Sequence, residues 1–230
     1  MNYETIAPRF AFFDVDGTVI QKDSFRIIIR ELIFKRSTLR TILAASLFVF
    51  LCFFWIFRIA GKTQFKSALL WAGTVGLSRK KALTLIRQIV YDHLRPLWFC
   101  EMEEELAKLR SDGYQVCYVS ASGEFWLRAL LKKMDPDKKL IVGSKLMYFM
   151  GGLTLKGENC IGQEKIKRLN TLLPDEAIWE VAYSDHRADI PLFLACKKRI
   201  VVNPTAQSLR AISAALGVQN FIQVQWTVPR

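Results

Sequence analysis

Asp14 and Asp16 stand one residue apart in FFDVDGTV, residues 12–19, directly after an apolar run and directly before a glycine. Residues i and i+2 of a strand share a face, and in a parallel sheet the ligand crevice lies beyond the carboxyl ends of the strands. Both carboxylates are therefore expected to point into one crevice. Two acids held this close repel unless a cation or a shared proton relieves them. Magnesium, a hard cation that takes oxygen ligands, suits carboxylates and phosphate together. Gly17 permits a tight turn out of the strand, and Thr18 can supply a hydroxyl to cap the next turn of the chain. An isolated Asp-Gly pair is usually an ordinary polar turn, but the apolar residues Phe10–Phe13 argue for a strand end here.

Other strand ends carry chemistry of the same kind. VCYVSAS ends a strand at Ser120, where the Ala121 and Ser122 amides are expected to open a helix and face a phosphate oxygen. WEVAYSDHRAD ends another at Asp185, with Asp189 one helical turn later, a pairing that suits a metal ligand and its support. Lys165 in NCIGQEKIKRL sits early in a helix, where a long basic side chain can neutralise phosphate charge. A serine at a strand end or a lysine on a helix is by itself most often only solvated. The order acid pair, hydroxyl, lysine, acid pair is what lifts these residues above that reading. His93 and His186 are isolated, and His186 is expected to shape its loop rather than ligate a metal.

The elements that must position these residues are legible in pattern and punctuation. Compact apolar runs at Phe10–Phe13, 114–120, 140–143, 179–185 and 199–203 read as buried strands. Helical patterns lie between the later ones, at Glu124–Lys133, Gly162–Leu173, Arg187–Lys197 and Ala206–Leu216. This alternation predicts an α/β fold whose parallel sheet is covered by helices on both faces. From Gln21 to about Arg95 the texture changes to long helical stretches without a clear strand, including residues 77–94. The chain therefore divides into a core of residues 1–20 and 96–230 and an all-helical insertion, residues 21–95. LWFCEMEEELAKLRSDG, residues 97–113, is predicted as a helix ended by Gly113, and the Gly-Gly centre of residues 148–157 predicts a hairpin.

The 230 residues are 51% hydrophobic, enough for a sizeable core and against disorder, and the formal charge of +12 favours anionic partners. The charges show no interleaved aromatic and basic pattern, which argues against nucleic acid. Five scattered cysteines, mostly within apolar runs, read as buried thiols in a reducing compartment rather than as disulfides or a zinc site. The N-terminal residues MNYETIAPRF show no cleavable signal, so a cytoplasmic protein is expected.

DVDGT, Ser120, Lys165 and SDHRAD, spanning residues 12 to about 193, resemble the four motifs of the haloacid-dehalogenase superfamily of phosphohydrolases. The resemblance implies a Rossmannoid core with a cap inserted between the first and second motifs, where the helical stretch lies. It implies Asp14 as a nucleophile toward phosphorus and Asp16 as the acid that protonates the leaving oxygen and then activates water. It implies magnesium on Asp14, the Asp16 backbone carbonyl and Asp185, with Asp189 in support, and a phosphoryl group held by Ser120 and Lys165, assisted by Thr18 and Ala121.

TILAASLFVFLCFFWIF, residues 41–57, is uncharged and bracketed by basic residues. Its length is at the short limit of a spanning helix, about 17 to 25 residues. A single crossing would put Asp14 and Ser120 on opposite sides of a bilayer, so a buried cap helix, a shallow re-entrant hairpin or an interfacial segment remain. The apolar cap and its basic flanks resemble the phosphatidylglycerophosphatase C branch, which implies a lipid headgroup phosphate as substrate at the cytoplasmic face of a membrane. Arg26, Arg30, Arg36, Arg40, Arg58 and Lys62 are then candidates for contacts with anionic headgroups. A second resemblance, to phosphoserine phosphatase, implies a soluble small-metabolite enzyme with Asp23, nine positions after Asp14, holding the substrate. A non-catalytic membrane-binding protein on the same scaffold is the third reading, and the intact acids and Lys165 speak against it.

Overall fold

The computed structural model of the chain describes residues 7–56, 61–137 and 140–228. Its strands are β1 (Arg9–Phe13), β2 (Tyr114–Gly123), β3 (Leu140–Phe149), β4 (Gly152–Lys156), β5 (Ile178–Ser184), β6 (Lys198–Val202) and β7 (Ile222–Val224). They form one sheet in the order β4-β3-β2-β1-β5-β6-β7, parallel throughout except for the antiparallel β3–β4 pair. The chain thus has the α/β Rossmannoid fold expected from its alternating pattern. β1 lies at the centre, and the two-residue period of RFAFF sends Phe10 and Phe12 into the core on one face and Ala11 and Phe13 into the core on the other. That continuous apolar run is what a strand covered on both faces requires.

Between β1 and β2 come α1 (Ser24–Ile29), a π-helical turn (Arg30–Phe34), α2 (Thr38–Ile56), α3 (Lys62–Thr74), α4 (Arg79–Ile89) and a second π-helical turn (Val90–Leu94). Among the described residues this stretch holds no strand, as its texture predicts. After it come α5 (Met102–Ser111), α6 (Glu124–Met134), α7 (Gln163–Leu172), α8 (Ile190–Ala195) and α9 (Ala206–Leu216).

Several boundaries and one strand differ from the sequence expectation. The helix expected over 97–113 begins only at Met102, because the preceding residues serve the sheet-edge turn: the Gln21 amide donates to the Leu97 carbonyl (2.9 Å) and the Phe99 amide to the Val19 carbonyl (3.1 Å). β2 continues to Gly123, so Ala121 and Ser122 are strand residues, and the next helix opens at Glu124. β3 runs ten residues rather than four because it continues into the hairpin with β4. The hairpin loop is Met150–Gly151, with φ of 45° and 78°, the pair of positive values that a two-residue loop matched to strand twist requires. β7 was not expected, although Ile222, Val224 and Trp226 alternate with glutamines.

α2 covers most of the apolar segment 41–57, and Phe57 lies outside the described residues. It is 19 residues long with a mean hydropathy of 2.2, yet only 6% of its apolar window is buried. Arg40 reaches the end of α3, donating to the Ala72 and Val75 carbonyls at 3.0 and 2.9 Å, while Phe48 meets Phe65 edge-on nearer its start. The two helices are therefore antiparallel. Three cysteines, Cys117, Cys160 and Cys196, are buried free thiols, whereas Cys52 is half-buried and Cys100 exposed.

Candidate active site

The carboxyl ends of β1, β2 and β5 meet at one edge of the sheet, and they bring the acids together. Asp14 follows β1 directly, its amide donating to the Tyr183 carbonyl of β5 at 2.9 Å, so the two strands hold its backbone. Its carboxylate is buried, and Oδ1 accepts from Lys165 Nζ at 2.8 Å. Lys165, only 2% exposed, also lies 2.7 Å from Asp189 Oδ1 as an ion pair off the line of a hydrogen bond. Asp189 is fixed in turn by Ser184 Oγ, which donates to its Oδ2 at 2.7 Å. A buried ammonium persists only when paired, and two carboxylates pair this one. Burial opposes its charge, but Asp14 and Asp189 outweigh burial and hold its pKa above the ordinary value.

Asp16 is oriented by the helical insertion and by β2. Its Oδ1 accepts the Ser24 amide at 3.0 Å, and its Oδ2 accepts a short hydrogen bond from Ser122 Oγ. Ser24 Oγ closes this network: it lies 2.8 Å from Ser122 Oγ and accepts from Trp126 Nε1 at 3.1 Å. Burial, and next the charge of Asp23, push the Asp16 carboxyl up to about 6 despite these bonds. Ser122 and Ser24 are site residues that the motif spacing does not reveal, since it assigns a part only to the Ser122 amide and none to Ser24.

Gly17, at φ +83°, fits because a Cβ there would lie 2.4 Å from Asp185 Oδ2, within its carboxylate. The Asp185 carboxylate packs directly over this backbone. The Thr18 hydroxyl accepts from the Asp185 amide at 2.9 Å and donates to Asp185 Oδ1 at 3.4 Å, joining the first and last acid-bearing loops. Burial, then Asp189, push the Asp185 carboxyl up to about 7, and Asp14 is raised by burial and by Asp189 and Asp185 against the pull of Lys165.

The remaining expectations divide. Ser120 is buried at the cleft, and its Oγ accepts the Ser122 amide at 3.1 Å, which leaves its proton to donate. Ala121 lies on the strand rather than at a helix start, and its carbonyl accepts from Ser144 Oγ at 3.0 Å. Asp23 caps α1 through the Arg26 amide at 2.9 Å, and Arg26 extends outward with its side chain 86% exposed. Arg40 donates to two carbonyls of α3 and its end, and Arg30, half-exposed, pairs with Glu31; Arg58 lies outside the described residues. Arg36 and Lys62 lie at the surface, as expected. His186 Nδ1 accepts the Ala188 amide at 3.0 Å, so it shapes its loop, and His93 lies 3.6 Å from Glu31. Lys66 has no motif to mark it, yet it belongs to the cleft. From α3 it donates to the Ala121 carbonyl at 3.4 Å and feels the charges of Asp23, Asp16 and Asp14, while burial draws its pKa down.

Among the described residues, no three acidic, histidine or cysteine side chains converge as a ready metal cage. A mixed oxygen set of the Asp14 and Asp185 carboxylates with the Asp16 backbone carbonyl nevertheless fits a hard divalent cation. Both carboxylates are raised by burial and by neighbouring acids, and a cation between them would replace repulsion with attraction.

Comparison with known proteins matches this arrangement. Residues 11–194 fit the family model of haloacid dehalogenase-like hydrolases. A Bordetella pertussis Tohama I protein of unknown function superposes with a TM-score of 0.71 at 18% identity, covering 95% of this chain and 98% of that one. A probable phosphoserine phosphatase from Vibrio cholerae gives 0.64 at 16% identity, covering 96% of this chain and 61% of that one. Cytosolic 5′-nucleotidase IIIB bound to cytidine gives 0.60 at 12%, covering 95% and 81%. At these identities the structures speak for the fold, while the family model takes in every strand end that carries an acid; the chain belongs to the haloacid dehalogenase-like hydrolases.

Proposed function

We propose that this hydrolase is a magnesium-dependent phosphomonoesterase that carries the phosphoryl group on Asp14 and takes it from a lipid headgroup. The observation that supports the chemistry is the pairing of Asp14 Oδ1 with buried Lys165, which leaves Oδ2 as the oxygen available to attack phosphorus. Attack forms the Asp14–phosphorus bond as the ester oxygen departs with a proton from Asp16. Asp16 then takes a proton from water, whose oxygen displaces Asp14 and releases inorganic phosphate. A carboxyl near 6 is suited to both roles around neutral pH, and Ser24 and Ser122 hold it in place. Lys165 and Ser120 hold the transferring group and spread its charge. Asp14, Asp185 and the Asp16 carbonyl would hold magnesium, with Asp189 positioning Lys165 beside them; when bound, the ion supplies charge stabilisation to the phosphoryl oxygens.

The lipid reading rests on α2. An apolar helix of this length with 6% of its window buried asks for an apolar covering, and residues 21–95 would form the cap that presents it. α3, packed beside α2, carries Lys66, which donates to the Ala121 carbonyl at the cleft and feels the charges of Asp23, Asp16 and Asp14. Tails along α2 and a phosphate at Asp14 therefore belong to one molecule of suitable length, positioned at the cytoplasmic face of a membrane. Asp23 beside Asp16 and Lys66 supports a second reading, a soluble amino-acid phosphate as substrate. A phosphate-release panel of phosphatidylglycerophosphate, lysophosphatidate, phosphoserine and sugar phosphates, with and without magnesium, decides between them. Faster turnover of the two lipids is expected, and preference for phosphoserine would overturn the lipid reading.

A further inference from the structure

We infer that the β3–β4 hairpin is a second anchor for an anionic bilayer, acting with α2 to lay the catalytic cleft on the lipid surface. The inference rests on the membrane reading above, but on residues outside α2 and outside the catalytic site. The hairpin tip exposes Phe149 and Met150, at 53% and 74%, with Tyr148 beside them. It is held rigidly: Tyr148 Oη donates to the Leu77 carbonyl at 2.6 Å, Trp71 Nε1 to the Met150 carbonyl at 3.0 Å, and the Gly76 amide to the Gly151 carbonyl at 3.0 Å. The tip is thus largely ordered before any partner arrives, which lowers the entropy lost on binding.

Behind the apolar tip the charge is positive. Lys145 and Lys156 are directly opposed across the two strands, a like-charge pairing that opposes sheet formation. Together with Arg79 and Arg128 they line a groove of about 370 Å³ floored by Phe125 and Leu146. The groove's acid, Glu124, is taken up by Arg128, and among the described residues Arg79, Lys145 and Lys156 have no acidic partner. Aromatic and methionine side chains at the tip with cations set behind them match the depth profile of a headgroup layer, apolar groups inward and basic groups at the phosphates. A second copy of this chain is a poor occupant, because its own formal charge is also +12.

The placement relative to α2 gives the anchor its use. The tip and Arg40 of α2 both bind the carboxyl-terminal end of α3, and Lys66, nearer its opposite end, lies beside the cleft. Contact at the hairpin and along α2 fixes the tilt of α3, and with it the approach of the cleft to the lipid phosphates.

The test is vesicle flotation of the full chain with phosphatidylcholine alone and with added phosphatidylglycerol. The variants are K145Q/K156Q, F149S/M150S and an α2 variant carrying serines at Val49, Phe53 and Ile56. K145Q/K156Q is expected to weaken binding to the anionic vesicles about 25-fold, some five-fold for each cation near the surface. F149S/M150S should weaken it as well, and both should hydrolyse a small soluble ester at the wild-type rate, which shows that they fold. Flotation of both hairpin variants at the wild-type level would overturn the hairpin anchor, and if the α2 variant alone loses binding the membrane reading of α2 survives. Absence of wild-type binding to either vesicle overturns both. Concentration-dependent dimerisation lost in F149S/M150S, with vesicle binding intact, would assign the tip to a second copy and also overturn the anchor.

Discussion

Asp16 shows how much of an active site is decided by groups without a spacing signature. The acids at positions 14, 16, 185 and 189 and Lys165 were legible because each follows a strand or opens a helix, where the fold must present it. Ser122 and Ser24 were not, because a hydroxyl's partner depends on how the helical insertion seats against β2. Ser122→Ala is expected to lower kcat about 10- to 100-fold with KM little changed, within the usual weight of a positioned acid–base group; an unchanged kcat would remove Ser122 from the account. Ser24→Ala strands Trp126 Nε1 in a buried site, so stability in urea should fall by about 1–3 kcal/mol. Gly17→Ala combines a positive φ with a Cβ inside the Asp185 carboxylate, and activity should fall well before the fold is lost.

At the scale of elements, strand and helix order could be read from apolar period and glycine punctuation, whereas the ends could not. Leu97–Phe99 read as helix but give their backbone groups to the turn after Asp16, a tertiary demand that overrides local propensity. β7 was missed for its shortness, although its alternation was present. The apolar segment could be placed on a helix from sequence, but its exposure could not, since burial depends on what the rest of the insertion covers. Only Ala44 of α2 is buried, so serines at Val49, Phe53 and Ile56 should leave the melting temperature and soluble-ester hydrolysis nearly unchanged while abolishing vesicle flotation. A large loss of stability instead would mean that α2 is a packing helix.

Across the whole molecule, a strongly basic chain brings Asp14, Asp16, Asp185 and Asp189 to one sheet edge and exposes much of its apolar surface on α2 and the β3–β4 hairpin. That separation suits an enzyme that meets an anionic surface and works on one phosphate within it. Exhaustive chelation should abolish phosphate release and magnesium restore it, with circular dichroism unchanged throughout, since Lys165 already holds the acids together. Transfer of the phosphoryl group to Asp14 can be read directly. Wild type and Asp16→Asn can be mixed with a phosphate monoester and magnesium, quenched in acid within the first turnover, digested and weighed by mass spectrometry. One phosphoryl group is expected on the peptide containing Asp14, and none after Asp14→Asn. Full turnover by wild type with phosphate on another residue, or undiminished turnover by Asp14→Asn, would contradict it.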